Sequence, residues 1–169
     1  MTVTPDYLQQ SALRLDQFAT IDSALPLLQP LATSLADPIS GWCGTILRTW
    51  HWLPTHYVAE RDGDHWQRSM ETLTTHAGDC EDWAILLAAM LKANGIDARI
   101  LTVPTHVGVA VLMSSTAAGW DLHVHNGTPW LLLEGTLDPD LRLSVPPGSD
   151  VEMITPHLNT PYLQIAGVG

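Results

Sequence analysis

The apolar side chains between Cys80 and Ala93 recur at three- and four-residue steps, with Trp83, Leu86, Leu87, Met90 and Leu91 on one stripe. That period predicts a helix with one buried face, and Asn94-Gly95 supplies the left-handed residue that ends it. Beyond the helix the period shortens. Ala98 to Val103 alternates as a strand, and His106 to Met113, Trp120 to Val124 and Trp130 to Leu133 give three more, with Asn126-Gly127 as a tight turn between the last two. Upstream, Leu8, Leu13, Phe18, Ile21, Leu25 and Leu28 are spaced as in one or two short helices between Pro5 and Leu35, interrupted by Pro26 and Pro30. Another helix is predicted over Ser40 to Leu53, where Pro54 limits its extension. Ser69 to Leu73 reads as a short helical turn between two loops, ERDGDHW around Gly63 and THAGDC before Cys80. Helices first and an antiparallel sheet second make an α+β protein.

A chain of 169 residues falls in the range of one domain. The expected division is an N-terminal helical segment over 1–39, a core over about 40–145 and a tail over 146–169 that reads as surface loop. With 46% apolar residues and seven Trp, the chain has ample material for a core. The net charge is -11 and Lys92 is the only lysine, which argues against a protein that holds phosphates, so nucleic acid is excluded as a partner class. No apolar run reaches the roughly 18 residues a spanning helix requires, and no membrane association is expected. MTVTPDYLQQ lacks a basic region followed by an apolar stretch, so the expectation is a cytoplasmic protein as written, periplasmic or secreted if a leader has been removed. Two cysteines, Cys43 and Cys80, are too few for a disulfide framework or a four-thiolate zinc site.

Candidate chemistry centres on Gly78-Asp79-Cys80-Glu81-Asp82, directly before the most regular helix. A helix N-terminus carries partial positive charge and orphan N–H groups, so a thiol in its first turn is expected to ionise more readily. The Cys80 N–H is a candidate for half of an oxyanion hole. Gly78 permits a close approach of the loop, and Asp79 suits the N-cap. The alternative is a Cys80 that is one more buried small residue. A thiolate nucleophile needs a base and an orienting group. His106 opens the strand HVGVAV, whose following positions hold only Val, Ala and Gly, and Glu134 ends the apolar run WLLL. A satisfied core histidine is the competing account of His106.

The run ETLTTHAGDCEDWAILLAAMLKANGIDARILTV, followed by HVGVAV and WLLLEGT, resembles the transglutaminase-like superfamily of papain-type cysteine enzymes, in a small single-domain form of bacterial or phage type. The resemblance covers about residues 45–140. It implies Cys80 as nucleophile, His106 as general base and Glu134 as the orienting carboxylate. Gly108 stands where many members carry an aromatic residue, and Glu134 where they carry Asp, which leaves Asp138 as its rival. Trp50, Trp52, Tyr57 and Trp66 are candidates for the second oxyanion donor. Asp82 is read as structural, His123 and His125 as a solvated strand face rather than a metal pair, and Asp62 and Asp64 as a weak calcium signal.

The function expected from these residues is acyl transfer on peptide or glutamine amides by a Cys-His-Glu triad, leaning to hydrolysis by a protease or deamidase. Amine crosslinking and a non-catalytic interaction module on the same scaffold are the alternatives. The expected partner is a protein or peptide substrate, and no cofactor or metal is expected.

Overall fold

The computed structural model describes residues 4–56, 58–59, 65–104, 106–113, 122–133 and 163–168. Its first helix, α1 (Pro5–Ser23), starts on Thr4, whose hydroxyl accepts the Tyr7 N–H at 3.1 Å, and on a proline whose missing N–H would have been an orphan anyway. Leu8, Ala12, Leu15 and Ala19 form its buried stripe. The expected one or two short helices are thus a helix of 19 residues followed by α2 (Leu28–Ser34), which holds Pro30 in its first turn, where the lost N–H is equally harmless. The third helix, α3 (Gly41–His56), runs past its expected limit and carries Pro54 in its last turn. So near the end of a helix, proline leaves most of the ladder intact.

Chain entry to Cys80 is tied down by a two-residue parallel pair, β1 (Val58–Ala59) with β2 (Ala77–Gly78), on either side of α4 (Ser69–Thr75). The stretch THAGDC is therefore partly strand, because its backbone pairs with a segment too short to show a period. Next comes α5 (Cys80–Ala93), closed at Gly95, whose φ is +75° and whose successor Ile96 donates to Leu91 O at 3.1 Å.

All ten residues from Asp82 to Leu91 are buried. The single stripe expected for α5 is incomplete, since α1, α2, α3 and α4 pack around it and the sheet lies against it. A helix apolar all round is a central helix.

The sheet is antiparallel throughout, in the order β5-β6-β4-β3-β7. Its strands are β3 (Ala98–Val103), β4 (His106–Leu112), β5 (His123–His125), β6 (Thr128–Leu133) and β7 (Gln164–Ile165). Asn126 and Gly127 both have positive φ, 51° and 78°, as a two-residue primed turn requires, and they set His125 against Thr128. Ala98, Ile100, Val109, Val111, Leu131 and Leu133 face α5, while Leu101, Val103, Ala110, Trp130 and Leu132 join a second cluster with Leu163 and Ile165. Of the expected surface tail 146–169 only 163–168 are described, and there the expectation is corrected: β7 docks on β3, with Leu101 opposite Ile165, because Leu163, Ile165 and Ala166 have apolar surface to bury. The molecule is α+β, as its pattern predicted.

Side chains of α1 hold this arrangement. Asp16 accepts from Lys92 Nζ and from the Ile100 N–H, and Gln9 bonds Gln164, Ile165, Val168 and the Gly167 N–H.

Candidate active site

Cys80 is the first residue of α5, so its own N–H has no acceptor within the helix. A capping box fixes the turn: the Asp79 carboxylate accepts from the backbone of Asp82, and the Asp82 carboxylate accepts the Asp79 N–H at 3.0 Å. Asp82 does more than complement the helix dipole. Fully buried, it also accepts the Gln67 N–H at 2.7 Å and the Gln67 amide at 3.1 Å, and so pins the 65–68 segment to the nucleophile turn. Gln67 is itself buried and holds Ala77 O and the Thr75 hydroxyl. Asp22 of α1 then secures the next residues, pairing with Arg68 and accepting the Ser69 N–H at 2.9 Å.

Gly78 is required by close approach. A Cβ there would lie 2.8 Å from the Asp82 Cβ and 3.1 Å from the Trp83 ring.

Cys80 and His106 line one cavity of about 230 Å³, set between α1, the start of α5 and the turn joining β3 to β4. Leu8 and Leu15 of α1, Thr102 and Val103 of β3, and Val107 of β4 complete most of its wall. Val107, the residue after His106 on β4, lines the same cavity, and its backbone lowers the pKa of the Cys80 thiol. Of the aromatic candidates, Trp66 lines this cavity, Trp50 is buried in the core and Trp52 packs against it; Tyr57 lies outside the described residues.

The thiol does not behave as its helix position predicts. Burial pushes Cys80 up to about 12, the Glu81 and Asp79 charges add to the effect, and the Val107 hydrogen bond only opposes it. Glu81 Oε2 lies 3.4 Å from the sulfur. The expectation of an easily ionised thiol is corrected, because desolvation and two neighbouring carboxylates outweigh one helix end.

The remaining candidates separate. Glu134 and Asp138 lie outside the described residues, as do Asp62 and Asp64. β6 does pair with β4 up to Leu133 opposite Val109, three residues from His106. His123 and His125 stack with ring centroids 6.2 Å apart, each held below the usual imidazole value by burial, His123 also by the charge of its neighbour. Among the described residues no group of three or more His, Cys, Asp or Glu is placed to hold a metal, and both cysteines are free. No described helix is long and apolar enough to cross a membrane.

The family model of the transglutaminase-like superfamily matches residues 33–128. This chain belongs to that superfamily. The matched span contains both Cys80 and His106 and stops before Glu134, and it leaves α1, with its share of the cavity wall, outside. No curated protein matches the chain. The general chemistry of the transglutaminase-like superfamily is cysteine-based acyl transfer, and a helix-borne thiol that shares a cavity with the first residue of a strand suits that chemistry.

Sequence reasoning overlooked four contributors to the site. Tyr7 and Ser11 bring α1 to the cavity from four residues apart on one helix face, and that spacing was visible. Gln67 carried no signal, since its role rests on Asp82, fifteen residues away. Glu81 adjoins the nucleophile, but its side chain's return to the sulfur depends on the first-turn geometry.

Proposed function

We propose that the protein is a cysteine-nucleophile amide hydrolase acting on a protein or peptide, with Cys80 as nucleophile, His106 as general base and acid, and Glu134 as the carboxylate that orients the imidazole. The observation that carries this reading is the shared cavity of Cys80 and His106 in a member of the transglutaminase-like superfamily. Because the resting thiol holds its proton, attack starts with transfer of that proton from sulfur to His106 as the substrate carbonyl arrives. The sulfur forms the thioester carbon bond while the Cys80 N–H receives the developing oxyanion. His106 then returns the proton to the leaving amine, and water hydrolyses the acyl-enzyme. An amine in place of water would give crosslinking.

Glu134 follows Leu133, the β6 residue that pairs with β4 nearest His106, which supports it over Asp138. A non-catalytic module is the second reading, and the raised thiol pKa is the observation that favours it.

Mass spectrometry with a peptide-based electrophile distinguishes the two. The hydrolase reading expects one adduct, on Cys80 and not Cys43, lost in Cys80→Ala and slowed strongly in His106→Gln. Equal labelling of both cysteines, or labelling indifferent to His106, would support the module.

A further inference from the structure

We propose that Glu81, with the rings of Tyr7 and Trp66, forms a subsite for a basic side chain of the peptide substrate, an ammonium or guanidinium placed beside the reacting amide. The inference rests on the reading of Cys80 as nucleophile and adds a substrate class to it.

Glu81 is half-buried on the wall of the cavity, and among the described residues the Cys80 thiol is the one group its carboxylate hydrogen-bonds. The described ion pairs join Arg68 to Asp22, Lys92 to Asp16, Arg99 to Asp97 and His65 to Glu71, and none of them reaches Glu81. Among the described residues no lysine or arginine lines the cavity; Arg14 lies against the Trp66 ring at 5.3 Å. Glu81 lies in the first turn of α5, where the helix end favours a carboxylate, and its one described hydrogen-bond donor is a thiol, so no described cation neutralises it. The natural complement is a cation from the ligand.

Tyr7 and Trp66 line the same cavity, and aromatic faces attract ammonium and guanidinium groups. The space, about 230 Å³, falls below the roughly 300–1,000 Å³ of sites for drug-sized molecules, so it suits one side chain of a longer substrate bound across the surface. The arrangement also couples binding to chemistry. The charge that a bound cation neutralises on Glu81 is among those that keep the thiol protonated, so a basic substrate eases the proton transfer to His106.

The test uses two peptidyl chloromethyl ketones that differ only in arginine or norleucine next to the warhead. In each the Cys80 sulfur bonds to the methylene carbon, chloride leaves, and the thiol proton passes to solvent. Labelling rates are read by mass spectrometry on the wild-type chain and on Glu81→Gln, with EDTA and with calcium. The proposal expects the arginyl reagent to label wild type at least tenfold faster, a ratio near one in Glu81→Gln, and no effect of either addition; the norleucyl rate reports that the variant is folded and reactive. Equal rates in wild type, or a preference that survives in Glu81→Gln, would overturn the subsite and leave the nucleophile in place. Labelling lost in EDTA and restored by calcium would assign Glu81 to a metal and overturn it as well. Failure of both reagents while iodoacetamide still modifies Cys80 would remove the hydrolase reading and the subsite with it.

Discussion

Asp82 receives the backbone N–H of Gln67 at 2.7 Å, and this bond joins the segment before α4 to the turn that presents Cys80. Asp82→Ala would leave the Gln67 N–H, the Gln67 amide and the Asp79 N–H without their acceptor in a buried place. Each such loss costs about 1–3 kcal/mol. The variant is expected to lose about 3 kcal/mol or more in urea unfolding and to react at Cys80 more slowly. Asp82→Asn, which keeps an oxygen acceptor, is expected to fall between.

Gly78→Ala places a Cβ 2.8 Å from the Asp82 Cβ, on backbone-anchored atoms that cannot swing away. We expect a loss of about 1–3 kcal/mol from the overpacking, with peptide-electrophile labelling reduced, since the displaced residue adjoins Asp79. An equally stable, equally reactive variant would show that the turn has room to shift.

The pH dependence of Cys80 follows from its raised pKa. With the thiol at about 12, iodoacetamide modification of the ligand-free protein is expected to climb about tenfold per pH unit from 7 to 10 without a plateau. The linkage has a definite sign. The folded state binds the thiol proton more tightly than the unfolded state, so this contribution to stability is complete below about pH 9 and is lost as pH rises toward 12. Cys80→Ala should flatten that fall in denaturation curves taken across the alkaline range. A plateau below pH 8 would mean that a thiolate-imidazolium pair exists before substrate binds.

If His106 moves the proton, His106→Gln lowers kcat by about 10²–10⁴ and leaves KM nearly unchanged. For the orienting group, Glu134→Gln is expected to follow His106→Gln in direction, while Asp138→Asn keeps most of the activity. Turnover assays of the pair at several pH values decide between the two carboxylates, and the reverse outcome would assign the role to Asp138.

Local rules carried much of this structure. The bounds of α5 and β3 were legible because a capping acid, an Asn-Gly stop and a clean change of period mark them, and the primed turn at Asn126-Gly127 needed only two residues. That Cys80 and His106 line one cavity was foreshadowed by a family resemblance rather than by spacing. What stayed hidden depends on contacts distant in sequence. β7 is two residues long and gains its identity from Leu101 and Thr102, and β1 and β2 define each other. The thiol was misjudged for a related reason: the helix end is visible in a sequence, whereas the burial that outweighs it belongs to the assembled cavity.

The grip of Gln9 on Gln164, Ile165, Gly167 and Val168 also bears on the order of events during synthesis. Gln9 sits between Tyr7 and Ser11, two of the α1 residues that wall the cavity, so that wall gains one of its anchors from residues made more than 150 positions later, beside the earlier bond of Thr102 to Leu8 O. While the ribosome is still translating, Cys80 and His106 can already exist on a chain that has yet to form these bonds. Closure by such distant partners is slow relative to local helix formation. The bonds of Gln9 to residues 164–168 are therefore among those the chain gains last.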